Sequence, residues 1–257
     1  MKKILRQFPG YNLGKKIYYF SGQIKRRLRN KVSPTAKILL YHRIAELKND
    51  LHLLAVLPDN FREHLKYLKN NFRVIPLAQL TNEINAKKIT NDTVTITFDD
   101  GYMDNCYYAM PILKEFNLPA TIFITTNPNS STGDQLLNDE KIKILSGIEL
   151  IELGSHTLNH PRLSKIPSIE QEKEILESKS KLESVINRPV DGFAYPFGDE
   201  KSFTKETTNL VKKSGFHYAC ANIHERVTNH SDIFALPRYV VRNWDLEEFK
   251  KQFENFI

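Results

Sequence analysis

The sequence lacks the features that mark fibrous, disulfide-stapled and membrane-spanning proteins. Its 257 residues include only 2 cysteines, 10 glycines and 12 prolines, which excludes collagen-like, low-complexity and disulfide-rich chains. No apolar run approaches the roughly 18 residues that a membrane-spanning helix requires. The remaining composition, 40% hydrophobic and 26% charged, is typical of a globular protein. The length fits one α/β barrel domain with a short extension.

The 2 cysteines are too few and too far apart to indicate a disulfide framework. Cys106 lies in a segment that we predict to be helical, and Cys220 lies in a predicted strand. We therefore expect two small buried apolar residues rather than a disulfide pair. This use of cysteine agrees with a reducing compartment.

Acidic residues are missing from the first 45 positions, which contain 12 lysines and arginines. The rest of the chain therefore carries a net negative charge, although the total is +7. Apolar residues recur among the basic ones at near-helical spacing, namely Leu13, Ile17, Tyr18, Phe20, Ile24 and Leu28. We predict a basic amphipathic helical extension over residues 1–34 and the main domain over 35–257. Either residues 1–31 contact an anionic membrane surface, or the helix packs on the flank of the domain.

The N-terminal segment also bears on location and partners. A secretory signal is not expected, because Arg6, Pro9 and Gly10 interrupt the apolar residues near the start. We therefore expect a cytoplasmic protein that is peripheral at the inner face of the membrane. No nucleic-acid partner is expected, since the basic segment contains no recognised nucleic-acid module.

Short strand-like runs alternate with helical patterns from residue 37 onward. Strands are predicted at 37–42, 93–98, 120–125, 148–153, 193–195 and 216–220, and helices at 59–69, 168–186 and 203–214. For the second of these helices, Ser168 and Gln171 predict a capping box, and Ile169 and Leu176 are assigned to its apolar face. The alternation predicts parallel strands with crossover helices, so that reactive side chains gather after the strands.

Two groups of polar residues follow predicted strands. Asp99 and Asp100 end the strand at 93–98, and both can face one site only if the backbone bends there, as Gly101 permits. His156 and His160 also follow a strand, and two imidazoles with one carboxylate complete the three protein ligands of a catalytic metal site. The alternatives are a simple Asp-Asp-Gly turn and two surface histidines.

Three runs, TFDDGY at 97–102, SHTLNHP at 155–161 and FAYPFG at 193–198, resemble the first three motifs of the polysaccharide deacetylases, carbohydrate esterase family four. The resemblance spans residues 38–243. It implies an α/β fold, a distorted (β/α) barrel of the polysaccharide deacetylase type.

The resemblance also implies roles for individual residues. Asp100, His156 and His160 would hold a divalent metal, and Asp99 would be the general base. The backbone N–H of Phe197 would stabilise the tetrahedral oxyanion.

The chain departs from the common family pattern at two places. Ala194 occupies the position of an arginine that normally holds the catalytic base, and Arg238 is our candidate replacement, a surface arginine being the alternative. The late Leu-x-His motif is missing, whereas Leu40-Tyr41-His42 matches it near the start. A circularly permuted subgroup, which includes deacetylases of poly-N-acetylglucosamine, places this motif first. His42 would then be the general acid that protonates the departing amine.

The resemblance implies a metal-dependent hydrolase that removes N-acetyl groups from a cell-surface glycan or lipid-linked sugar. Zinc is the expected metal, although cobalt, nickel, iron or manganese suits the same ligands. We assign Trp244 to the substrate wall. The alternative functions are an O-acetyl esterase and a glycan- or membrane-binding protein with a decayed site, for which Ala194 is the only sequence support.

Overall fold

The structure is a computed structural model that describes residues 34–127 and 135–256. The hypotheses on residues 1–31, and nearly all of the predicted extension, lie outside the described residues. Within the described ranges, none of the helices has the length and hydropathy to cross a membrane.

Eleven strands are found in the described residues. The main sheet contains β1 Thr35–Tyr41, β4 Arg73–Val74, β5 Thr93–Phe98, β6 Ala120–Ile124, β7 Ile151–Ser155, β8 Gly192–Ala194, β9 Tyr218–Cys220, β10 Val227–Thr228 and β11 Tyr239–Val240. A separate pair is formed by β2 Arg43–Ile44 and β3 Ala55–Val56.

Seven α-helices alternate with these strands in the ranges that the structure describes. They are α1 Pro58–Asn71, α2 Leu77–Asn85, α3 Met110–Phe116, α4 Asp139–Ser146, α5 Ser168–Ile186, α6 Lys205–Lys213 and α7 Leu246–Asn255. A π-helical turn over Asn105–Ala109 leads into α3. The predicted alternation of strands and helices is therefore confirmed.

The main sheet curls into the predicted distorted barrel. Its order is β10, β1, β5, β6, β7, β8 and β9, and every neighbouring pair from β1 to β9 is parallel. Leu236 bridges to Cys220 of β9, and β11 then pairs in parallel with β1. The segment 233–240 thus connects the last strand back to the first, and the carboxyl ends of the strands meet on one side.

The strand β5 is central to the sheet and lies entirely in the protein interior. All six of its residues are buried, as expected for a parallel strand covered on both faces. Its threonines alternate with Val94, Ile96 and Phe98, which join the main hydrophobic cluster. The hydroxyl of Thr97 donates to the carbonyl of Leu39 on β1 at 2.8 Å, so this polar group is satisfied within the sheet.

The start of α5 differs from the prediction. Pro167 is the N-cap, and no side chain caps the helix. The hydroxyl of Ser168 donates instead to Glu206 at 2.7 Å, and the amide of Gln171 donates to the carbonyl of Ile166 at 3.0 Å. The predicted capping box was wrong because the helix begins one residue earlier than that motif requires.

The buried face of α5 also differs from the predicted one. It consists of Gln171, Ile175, Ser178 and Leu182. Ile169 is 74% exposed and Leu176 is 40% exposed, because both lie off the face that this four-residue series defines. The strand predicted at 148–153 is shifted by three residues and occupies β7 instead.

Both cysteines are free thiols, as predicted. Cys220 is buried within β9, whereas Cys106 is only partly buried in the π-helical turn.

Candidate active site

The two adjacent aspartates face one site because the backbone turns sharply after β5. The strand ends at Phe98, and Asp100 and Gly101 then adopt left-handed backbone angles, with φ of +69° and +74°. This is the bend that two neighbouring strand residues need in order to point to the same side. Asp99 and Asp100 are both buried.

Asp100, His156 and His160 form a cluster of three metal-ligand side chains. Their ligand atoms all lie within 4.8 Å of one another. The Nε2 atoms of His156 and His160 lie 3.5 Å and 3.3 Å from Oδ1 of Asp100. That oxygen is buried and has no hydrogen-bond partner among the described residues. Three converging ligands around an unsatisfied carboxylate oxygen fit a divalent cation.

The tautomer of His156 leaves its Nε2 atom free to bind a metal. Its Nδ1 donates a hydrogen bond to the carbonyl of Ala194 at 2.8 Å. Because a carbonyl only accepts, the proton of the neutral ring is on Nδ1, and the lone pair of Nε2 points to Asp100. Metal-bound histidines are typically held in this way.

Burial controls the protonation of the cluster. It lowers the pKa of His156 to about 3 and also lowers the pKa of His160, so both rings are neutral near pH 7. Burial raises the pKa of Asp100 to about 6, and the neighbouring carboxylate of Asp99 adds to this rise. Of the three side chains, Asp100 is therefore the one that takes up a proton most readily.

Asp99 is held by Arg238 through two short hydrogen bonds. The Nη1 and Nη2 atoms of Arg238 donate to Oδ1 and Oδ2 of Asp99 at 2.7 Å and 2.6 Å. Burial alone would raise the pKa of Asp99, but the surrounding groups, with Arg238 foremost among them, together outweigh it and lower the pKa to about 2. Asp99 is therefore an ionised carboxylate with a fixed orientation.

Arg238 is not a surface residue. Its side chain is fully buried, and its Nε donates to the carbonyl of Ala221 at 3.1 Å. It reaches Asp99 from the segment between β10 and β11, which is the segment that closes the barrel. The cation that Ala194 cannot provide is thus supplied 139 residues away from Asp99 in the sequence.

His42 follows β1 and lines the same cavity as the two aspartates. Its Nδ1 is buried and has no hydrogen-bond partner among the described residues. Its carbonyl accepts a hydrogen bond from the side-chain amide of the buried Asn105 at 2.8 Å. Burial lowers the pKa of His42, although the charges of Asp100 and Asp99 oppose this shift.

Phe197 lies at the rim of the cavity. Its backbone is left-handed, with φ of +64°, and its side chain is 49% exposed. The ring centroid is 4.9 Å from that of His160, and the guanidinium of Arg162 lies over the Phe197 ring, 4.4 Å from its centroid.

One cavity of about 720 Å³ contains most of the predicted site residues. His42, Asp99, Asp100, His156, His160 and Phe197 all line it, and Arg238 contacts Asp99 from outside the lining. Trp244 does not line it among the described residues and packs against the hydrophobic core instead, which corrects the assignment to the substrate wall.

Sequence reasoning missed the residues that form the outer wall. They are Arg43, Leu47, Lys48, Asn49, Asp50, Leu51, His52, Leu54, Arg162, Asp199, Asn222, Val240 and Arg242. The segment 47–54 carries no short-range motif. Its place over the cavity depends on contacts such as that of Arg242, which donates to the carbonyl of His52 at 2.9 Å.

The fold and the site together define the class of protein to which this chain belongs. A curled sheet with a histidine and carboxylate ligand set, and a separately held carboxylate base, is the architecture of a metal-dependent hydrolase. The sequence profile described as polysaccharide deacetylase matches residues 86–219. The chain belongs to the polysaccharide deacetylase family, and it is a hydrolase of that family.

Individual relatives agree with this assignment. A poly-β-1,6-N-acetyl-D-glucosamine N-deacetylase from Staphylococcus epidermidis is 28% identical over 246 residues, covering 90% of this chain and 81% of the relative. The Streptococcus pyogenes deacetylase PplD, in complex with acetate, has the same fold, with a TM-score of 0.76, 22% identity and coverage of 85% and 98%. IcaB from Ammonifex degensii is similar, with a TM-score of 0.72, 21% identity and coverage of 87% and 97%.

We predict that Arg238→Met destabilises the protein by about 3–5 kcal/mol at neutral pH, because it leaves the Asp99 carboxylate buried without its partner. The double variant Asp99→Asn, Arg238→Met should recover much of this loss. Urea unfolding of the metal-free proteins measures both. Arg162→Met is the control, since its partner Asp199 is 49% exposed and such pairs contribute about 0–1 kcal/mol. Equal losses in the two arginine variants would contradict the prediction.

We predict that affinity for a divalent metal falls by about tenfold per pH unit below about pH 6, because binding must then displace one proton from Asp100. The two histidines contribute little to this slope, since burial keeps them neutral. Competition with a chelator between neutral pH and pH 5 measures the slope. An affinity that stays constant over this range would show that Asp100 is not a ligand.

Proposed function

We propose that this protein is a zinc-dependent N-deacetylase that acts on a glycan of N-acetylglucosamine. The observation that carries the proposal is the meeting of three groups in one cavity. These are the cluster of Asp100, His156 and His160, the oriented carboxylate of Asp99, and the imidazole of His42.

Asp100, His156 and His160 would hold the metal through a carboxylate oxygen and two neutral imidazoles. A bound zinc ion supplies polarisation of the acetyl carbonyl and a lowered pKa for its water ligand. Asp99 takes the proton from the attacking water. Its low pKa keeps it ionised for this purpose, and the two bonds from Arg238 leave it one orientation.

The remaining steps need a donor for the oxyanion and a proton for the leaving group. The backbone N–H of Phe197 donates to the oxyanion as charge develops on the former carbonyl oxygen. In its protonated form, which the charges of Asp99 and Asp100 favour, His42 donates a proton to the nitrogen as the bond between carbon and nitrogen breaks, because an unprotonated amine is a poor leaving group. The products are acetate and a free amino sugar.

His42 supports an N-acetyl amide, rather than an O-acetyl ester, as the substrate. An alcohol leaves with less need for a proton, so an O-acetyl esterase makes less use of an imidazole that lines the same cavity as the ligand cluster. The decayed-site alternative loses its only sequence support, because Arg238 provides the cation that Ala194 lacks. Relatives named poly-β-1,6-N-acetyl-D-glucosamine N-deacetylases support the substrate class.

The test is release of free amine and acetate from short β-1,6-linked N-acetylglucosamine oligomers, with metal-free and zinc-reloaded protein. We expect release only with metal. Asp99→Asn and His42→Asn should each lower kcat by about 10²–10⁴-fold, the usual contribution of a general base or acid.

His217→Asn is the matched control, because His217 is exposed and lies outside the cavity lining. Zinc binding without release from any N-acetylated sugar, lipid-linked sugars included, would refute the proposal.

We further propose that residues 1–31 attach a cytoplasmic protein to the inner face of the membrane, where it meets a lipid-linked or nascent glycan. The support is the basic and amphipathic sequence of this segment. We expect sedimentation with anionic but not with neutral liposomes, decreasing with salt. Equal sedimentation after deletion of residues 1–31 would contradict this proposal and leave the deacetylase proposal intact.

A further inference from the structure

The loop between the two histidine ligands has an unfavourable backbone. Thr157 and His160 are both left-handed, with φ of +66° and +60°, a region that residues other than glycine rarely occupy. The hydroxyl of Thr157 accepts from the backbone N–H of His160 at 3.0 Å, which is a contact inside the loop. The loop therefore needs contacts from other elements to hold this conformation.

Glu174 of α5 provides three such contacts from one carboxylate. Its Oε2 accepts from the backbone N–H groups of Leu158 and Asn159 at 3.0 Å and 2.8 Å. Its Oε1 accepts from the side-chain amide nitrogen of Asn159 at 2.6 Å. Two of the three residues between the histidine ligands are thus bound to a single, half-buried side chain.

The other side of the loop is fixed through Asn127, just after β6. Its side-chain amide donates to Oδ1 of Asn159 at 2.6 Å, and its backbone N–H donates to the carbonyl of Leu158 at 2.9 Å. Because Glu174 accepts from the nitrogen of the Asn159 amide, it also sets the orientation in which the oxygen of that amide faces Asn127. The carboxylate therefore organises both sides of the loop.

We propose that Glu174 is a positioning residue that fixes the His160 imidazole beside Asp100 and so sets the affinity of the site for a divalent metal. The inference rests on the metal site of the proposed function. Glu174 does not line the cavity, so its effect reaches the ligand only through the loop. Outer hydrogen-bond partners of metal ligands typically account for about 10–100-fold in affinity.

The experiment compares zinc dissociation constants of the full chain, measured by competition with a chromophoric chelator at neutral pH. Glu174→Ala should raise the constant about 10–100-fold. Glu174→Gln should raise it less, because the remaining carbonyl oxygen still accepts from Leu158 and Asn159. Glu172→Ala is the matched control, since Glu172 is an exposed glutamate on the same helix, and it should leave the constant unchanged.

Two further readouts separate positioning from folding. The Tm of each metal-free variant measures any general loss of stability, and the visible spectrum of the cobalt-loaded protein reports on the ligand geometry. A raised dissociation constant with an altered cobalt spectrum in Glu174→Ala would support the proposal. An unchanged constant would overturn it even if the Tm falls, because Glu174 would then act on stability alone.

Glu174→Gln decides the question if Glu174→Ala does not fold, and an unchanged constant in that variant overturns the proposal. Failure of the unsubstituted protein to bind zinc or cobalt would refute the metal site of the proposed function, and this inference with it. If the unsubstituted protein binds metal, a raised dissociation constant in the Glu174 variants alone tests the positioning role separately from the proposed function.

Discussion

The buried pair of Arg238 and Asp99 is the interaction on which the charge and the orientation of the proposed base depend. A carboxylate without solvent would be protonated or would move toward water, and either change would remove the base. Arg238 prevents both, since it donates to the two oxygens and shares their buried environment. Its own position is fixed by the carbonyl of Ala221 and by the sheet pairing of the segment that carries it. The charge and the orientation of Asp99 therefore depend on a residue that is distant in the sequence and not on the TFDDGY motif alone.

Several residues of the same site have an unfavourable backbone conformation. Four of the eight non-glycine residues with left-handed angles in the described ranges lie at the site. They are Asp100, Thr157, His160 and Phe197, each in a loop after a strand of the barrel. Each such residue costs about 1–2 kcal/mol relative to an ordinary conformation. The rigid strand ends, and contacts such as those of Glu174, hold these residues in place. In this respect the loops resemble other functional sites, where strain is concentrated and the surrounding fold offsets it.

The sequence predicted the site more accurately than its surroundings. Asp99, Asp100 and the two histidines lie in short runs whose bends and spacing are local, so they could be placed before the structure was known. Arg238 could be named only as a candidate, because its pairing joins distant parts of the chain. Glu174 gave no signal, since a glutamate on a helix that is rich in charge looks like any solvated residue. The misplaced face of α5 has a similar cause. Ile169 is apolar and lies at the start of the helix, but it is on the side of α5 opposite to the buried residues.

The relocation of the arginine connects catalysis to closure of the barrel. The metal-ligand cluster comes from loops after β5 and β7, near the middle of the sheet, whereas Arg238 belongs to the segment that joins β9 to β1. The cluster and the base therefore depend on different parts of the fold. Partial opening of this closure would leave the ligand cluster assembled while Asp99 lost its cation. His42 follows β1, which pairs with β5 over six residues and with β11 over only two, so His42 would stay beside the ligand cluster. Of the roles in the proposed mechanism, that of Asp99 as the base thus relies on the closed sheet, whereas those of the metal ligands and of His42 do not.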